Sequence, residues 1–137
     1  MKTVPFALSE GILNLPGAVQ DHSINVLKFA DATLVITRAW DVPKGDEEKY
    51  LSQQLGKIKR NMKKVVLGEV ADSDIAGIPA REVALRFENQ HVMVHEKLAV
   101  ARVDDHLLAF TLSRMQPFDA DADAFWTAIK AGLQPGG

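Results

Sequence analysis

Between Gln20 and Arg38 the side chains alternate in type on a two-residue period, as a strand with two unlike faces requires. Ile24, Val26 and Lys28 fall on one face; Asn25, Leu27 and Phe29 fall on the other. After a break at Ala30-Asp31 the alternation resumes, with Thr33, Val35 and Thr37 opposite Leu34 and Ile36. So short a break, with Asp31 in it, predicts a hairpin. Apolar groups on both faces fit a sheet covered on both sides, and equally a sheet that keeps one face for a guest.

Around this ribbon the pattern predicts further elements. Val4–Leu8 and Ile12–Leu15 are short strands turned at Ser9-Glu10-Gly11 and ended by Pro16-Gly17. From Glu47 to about Lys63 the period becomes helical: Tyr50, Leu51, Gln54, Leu55, Ile58 and Met62 fill one arc. Asp46 is placed to cap this helix, and Glu47 and Glu48 sit where the macrodipole favours negative charge. Four strands follow, at Val65 to about Asp74 (with Gly68 as a bulge), Ile78–Phe87, His91–Arg102 and His106–Ser113. A last helix, from about Ala120 to Leu133, packs through Phe125, Trp126, Ile129 and Leu133 and is stopped by Gln134-Pro135-Gly136-Gly137. The expectation is an α+β fold, a single antiparallel β-sheet flanked by two main helices, in one domain over residues 1–137.

Composition narrows the chemistry. The chain has no cysteine, which excludes disulfides, thiolate metal sites and a cysteine nucleophile. A net charge of −2 creates no field for nucleic acid or an anionic membrane. Lys57, Lys59, Arg60, Lys63 and Lys64 lie off the apolar arc with no aromatic residue interleaved, which reads as a solvated face. No secretory signal and no apolar run of about 20 residues is visible, so a cytoplasmic protein without membrane insertion is expected. His91 and His95, four apart on a strand, stand roughly 13 Å from each other and cannot share an ion. Asp119, Asp121 and Asp123 begin like a calcium loop, but Ala124 and Lys130 stand where a glycine and a glutamate are needed. No catalytic signature emerges and no cofactor is implied. What stands out is polar groups among apolar ones: Gln54 on the helix arc, Thr33 and Thr37 on the ribbon, and Glu96 in the row Val92, Val94, Glu96, Leu98.

Gln20-Asp21-x-Ser23-Ile24-Asn25-Val26, then Leu34-Val35-Ile36-Thr37-Arg38, then a helix with Tyr50 and Gln54-Leu55, resembles the DcrB-related family. Within it the pattern is similar to the Eag-type chaperones of bacterial type VI secretion. The resemblance implies a cytoplasmic homodimer whose sheet curves into a half-cone with a concave face. That face would bind and shield the N-terminal transmembrane helices of a secretion effector until the effector is loaded on the secretion spike. By motif, the client-binding positions implied are Ile24, Val26, Thr33, Thr37, Gln54, Ile58 and Met62, together with Val92 and Glu96. The sequence departs from the family pattern at Val19, where a tryptophan is expected, and at Glu96, where a neutral amide is expected. Ile58 and Met62 are also bulkier than expected. The alternatives are a DcrB-related binding domain with an envelope-associated role, and a small-molecule enzyme using the concave face.

Overall fold

The computed structural model describes residues 2–134. The expected stop at Pro135-Gly136-Gly137 lies outside them. The architecture is α+β, with nine strands and two helices among the described residues. The strands form two sheets, which corrects the expectation of a single one. β1 (Val4–Leu8) and β2 (Gly11–Leu15) pair only with each other. Pro5 removes a donor from β1, and Pro16-Gly17 breaks the chain before β2 can run on toward the larger sheet. The larger sheet has seven antiparallel strands. Its order is β3 (Asn25–Lys28), β4 (Thr33–Ala39), β9 (His106–Arg114), β8 (Val92–Val103), β7 (Ile78–Asn89) and β5 (Lys63–Leu67), with β6 (Ala71–Ile75) also on β7.

The expected strand from Val65 to Asp74 is in fact two strands, β5 and β6, split at Gly68. The Gly68 amide donates to the Ala84 carbonyl at 2.8 Å, and a Cβ on Gly68 would stand 2.8 Å from that same oxygen. The backbones touch there, so the residue must be glycine and the ladder must break. The β7–β8 turn closes on Gln90 and His91, both with positive φ (51° and 67°), a handedness that matches the twist of a two-residue hairpin.

Each face of the large sheet carries a helix. α2 (Ala120–Ala131) covers one face, where Leu34, Ala99, Ala101, Leu108, Phe110 and Leu112 close around Trp126, which is 1% exposed. Asp119 caps α2, its carboxylate accepting the Ala122 amide at 2.8 Å. Phe125, expected among the packing residues, lies outside the core cluster, 38% exposed, and meets Phe29 edge-on, with ring centres 4.9 Å apart. Lys130, donating to Glu82 at 2.5 Å and to Ser73 at 3.0 Å, ties the end of α2 to β7 and β6.

α1 (Glu47–Asn61) covers part of the other face, setting Leu51 and Leu55 on Val83, Leu85, Leu98, Val100, Leu107 and Ala109. Asp46 stands at its N-cap without a side-chain hydrogen bond, contrary to expectation. Glu47 serves this end instead, accepting the Gly45 amide at 2.9 Å and the Arg102 Nε at 2.6 Å. Lys63 belongs to β5, not to the helix.

Candidate functional site

β3 and β4 pair in the expected register, with Asn25 opposite Ile36, Val26 opposite Val35 and Lys28 opposite Thr33. The turn closes through the Phe29 amide on the Ala32 carbonyl at 2.8 Å. Because partners in a ladder share a face, Val26, Val35, Thr111 and Leu98 form one rung across β3, β4, β9 and β8. Lys28, Thr33, Ser113 and Glu96 form the next, and Thr37, Ala109 and Val100 the rung on the other side. These rungs lie on the α1 face. α1 covers the β7–β8–β9 part of that face and reaches β4 at its Thr37–Ala39 end, where Tyr50 bonds Thr37, so β3 and the rest of β4 are left bare. Ile24 is 67% exposed and Val26 53%.

The expected site residues divide over this geometry. Ile24, Val26, Thr33, Thr37 and Glu96 come together on the bare part of the face or at its margin. Gln54, Ile58 and Met62 sit along α1, half-buried, and Ile58 and Met62 also pack on the core beneath the helix. Val92 is exposed at the far end of β8, opposite Asn89. Carrying the β3–β4 register back one residue beyond Asn25 puts it eight residues from Ile24 along the strands, roughly 27 Å. The two mark opposite ends of one surface. Near its Val92 end, Lys28, Thr33, Val94, Ser113 and Met115 line an open depression of about 560 Å³. Thr111 and Ser113, in the middle of the surface, were not among the expected residues. The signal for them was present: once Leu108, Phe110 and Leu112 face one way, Ala109, Thr111 and Ser113 must face the other.

The polar residues of the motif that carries the family resemblance, Asp21, Ser23, Asn25 and Arg38, lie on the opposite side. Arg38 hydrogen-bonds the Asn25 side chain and reaches the Ser23 carbonyl at 3.3 Å, while its Nε stands 3.5 Å from the Asp21 carboxylate. Asp21 in turn accepts the Ser23 amide at 2.8 Å and its hydroxyl at 2.5 Å. Burial pulls the Asp21 carboxyl upward, but the bonds from Ser23 and the Arg38 guanidinium outweigh it and hold the group below its ordinary value. Trp40 donates to the Asp21 carbonyl at 2.9 Å and stacks on His106, 4.4 Å between ring centres. Burial, helped by Arg38, pushes the His106 imidazole below its ordinary value. This clasp fixes Asp21, Ser23 and Asn25 behind the sheet edge. Strand alternation then turns Ile24 and Val26 to the bare face.

Two groups, Glu96 on the bare face and Tyr50 on α1 beside it, have shifted acidities. Burial raises the Glu96 carboxyl above the usual glutamate value, opposed by the Ser113 hydroxyl, which donates to its Oε2 at 2.6 Å. Burial likewise raises the Tyr50 phenol, opposed by a hydrogen bond with Thr37. His91 occupies the β7–β8 turn, and His95 faces the α2 side. Among the described residues no three His, Asp or Glu side chains are grouped to hold a metal ion, and no helix is long and apolar enough to cross a membrane.

The fold recurs in α+β proteins with solved structures. A protein of unknown function from Pseudomonas aeruginosa, described as a putative regulator, superposes with a TM-score of 0.77 at 20% identity, covering 100% of this chain and 99% of that one. The cyanobacterial PsbP protein of Synechocystis superposes with a TM-score of 0.55 at 12% identity, covering 93% of this chain and 89% of that one. No protein of curated function matches the chain. The chain belongs to the DcrB family, whose model matches residues 10–132.

Proposed function

We propose that this DcrB-family chain is an Eag-type chaperone. It shields the N-terminal transmembrane helices of a type VI secretion effector in the cytoplasm until the effector is loaded on the secretion spike. In this reading the bare part of the α1 face is the concave surface of a half-cone, and the chain works as a homodimer by binding alone.

One observation carries the reading. The chain's own helices leave uncovered an apolar surface bearing a few hydrogen-bonding groups, and Ile24 and Val26 stand open on it. Its length of roughly 27 Å is close to the ~30 Å of a membrane-spanning helix. A helix taken out of lipid needs apolar cover first, at about 1.5–3 kcal/mol for each large side chain. Thr33, Thr37, Gln54 and Thr111 suit the second need, since small polar side chains are what membrane helices offer one another at their contacts. Met62 at the end of α1 adds an adaptable contact.

The reading is tested by coexpression with the N-terminal region of an effector encoded beside this chain. Soluble yield of that region should rise, and the two should copurify. No rise with any neighbouring effector would remove the chaperone role.

A further inference from the structure

One rung of the bare face differs from those beside it. Lys28, Thr33, Ser113 and Glu96 are all polar, whereas the adjacent rung holds Val26, Val35, Thr111 and Leu98. Glu96 is half-buried, and its Oε2 takes the Ser113 hydroxyl at 2.6 Å. Among the described residues its Oε1 takes no hydrogen bond, and no Lys, Arg or His makes an ion pair with the carboxylate. Oε1 is also not one of the sealed polar atoms that lack a partner, so it keeps some contact with solvent. Lys97, the neighbouring cation on β8, points to the other face, where it pairs with Asp123 at 2.6 Å. The carboxylate therefore has one acceptor oxygen unserved by the protein, on a surface otherwise suited to apolar contact.

We propose that Glu96 is the selectivity residue of this surface. It makes the face prefer an apolar helix that presents a single hydrogen-bond donor, a hydroxyl or an amine, at the turn that crosses the polar rung. The inference rests on the transmembrane-helix reading above and names the feature that such a helix must carry. A helix lying across the rung strips water from Oε1. A carboxylate oxygen covered by methyl groups alone is left unsatisfied, which disfavours the complex. A donor at that turn restores the bond and strengthens it, because the acceptor is charged. Thr33 beside it can both donate and accept, so it adapts to either guest, while Ser113 has given its one proton to Glu96 and adds only acceptor capacity. Glu96, as a carboxylate, is restricted to accepting, and it is the one charged acceptor of the pair it forms with Ser113.

The test uses the full chain and two synthetic helices of about 20 Leu and Ala residues flanked by lysines. They are identical except for a central Leu in one and a central Ser in the other. Affinities are measured by fluorescence anisotropy for the wild type, Glu96→Gln and Glu96→Leu, with denaturation midpoints as the folding control. The wild type should bind the Ser helix roughly tenfold more tightly than the Leu helix, the scale of one hydrogen bond to a charged group. Glu96→Gln should keep part of that preference, and Glu96→Leu should reverse it. Equal affinities in the wild type, or an undiminished Ser preference in Glu96→Leu, would overturn the inference and leave the transmembrane-helix reading standing. Failure of the wild type to bind either helix would overturn both.

Discussion

The two faces of the seven-stranded sheet are made by the same alternation and end in opposite states. On the α2 face the rungs are apolar across the centre, Leu34, Leu112, Phe110, Ala99 and Ala101, and the Trp126 ring seals them. On the α1 face the rungs are wholly apolar only where α1 lies; toward β3, Thr37, Thr33, Thr111 and Ser113 interrupt the apolar Val35 and Val26. Threonine and serine there do what leucine does behind them in keeping the strand, but they do not draw a helix down. α1 accordingly lies over the β7–β8–β9 end and reaches β4 only near Thr37, and the rest of the face stays bare. One face is finished by the chain itself and the other is not.

The largest expected effect breaks the finished face. Trp126→Ala removes the largest fully buried side chain and leaves a cavity among Leu108, Phe110 and Leu112. It should cost about 3–5 kcal/mol, read as a drop in the urea midpoint with little change in slope. Loss of guest binding in this variant should follow unfolding and nothing else. A cost below about 1 kcal/mol would mean that the α2 face is not the core.

Next comes the clasp that orients the edge. Arg38→Ala removes the partner of Asp21 and Asn25 and should cost about 1.5–3 kcal/mol, since charged hydrogen bonds are involved. The Asp21 carboxyl is held below its ordinary value when folded. Its contribution is therefore present above the unfolded carboxyl range and lost as pH falls through the folded value. The gap between wild type and Arg38→Ala should narrow in acid; a gap constant with pH would show that Asp21 takes no part.

What was legible in the sequence follows from the same contrast. The ribbon Gln20–Arg38 was readable because strand periodicity assigns faces without any tertiary information, and both faces of β3 and β4 fell as the alternation required. α1 and α2 were readable from their apolar arcs to within two residues at their ends. Two features were not. The split of β5 from β6 depends on how close the Gly68 and Ala84 backbones come, which no local pattern encodes. The separation of β1–β2 from the main sheet depends on a pairing that does not form. The bare face was legible only in part: Thr33, Thr37 and Glu96 looked out of place for a core, whereas Thr111 and Ser113 looked ordinary until β9 was set between β4 and β8.

A smaller effect of opposite sign belongs to Glu96. Burial raises its carboxyl in the folded state above the unfolded value. Ionisation then costs stability progressively as pH rises between those two values, and the cost is complete above the folded one. Glu96→Gln removes that cost and should be more stable than wild type at neutral pH, with the advantage fading in acid. Equal stability at every pH would show that the half-buried carboxylate is fully served by solvent.

The smallest effect on folding is expected where the effect on binding is greatest. Ile24 and Val26 are 67% and 53% exposed, so Ile24→Asp has little burial to lose and should shift stability within about 0.5 kcal/mol. Placed against an apolar helix, the same aspartate sets an unpaired charge in the contact, which costs several times more. Ile24→Asp should therefore fold like wild type and fail to retain a hydrophobic helix, while Leu27→Asp, on the clasp side of the same strand and 43% exposed, should leave retention intact. The pair isolates the face from the strand. If both variants lose binding, the edge strand as a whole is the contact, and alternation has no part in choosing the side that receives a guest.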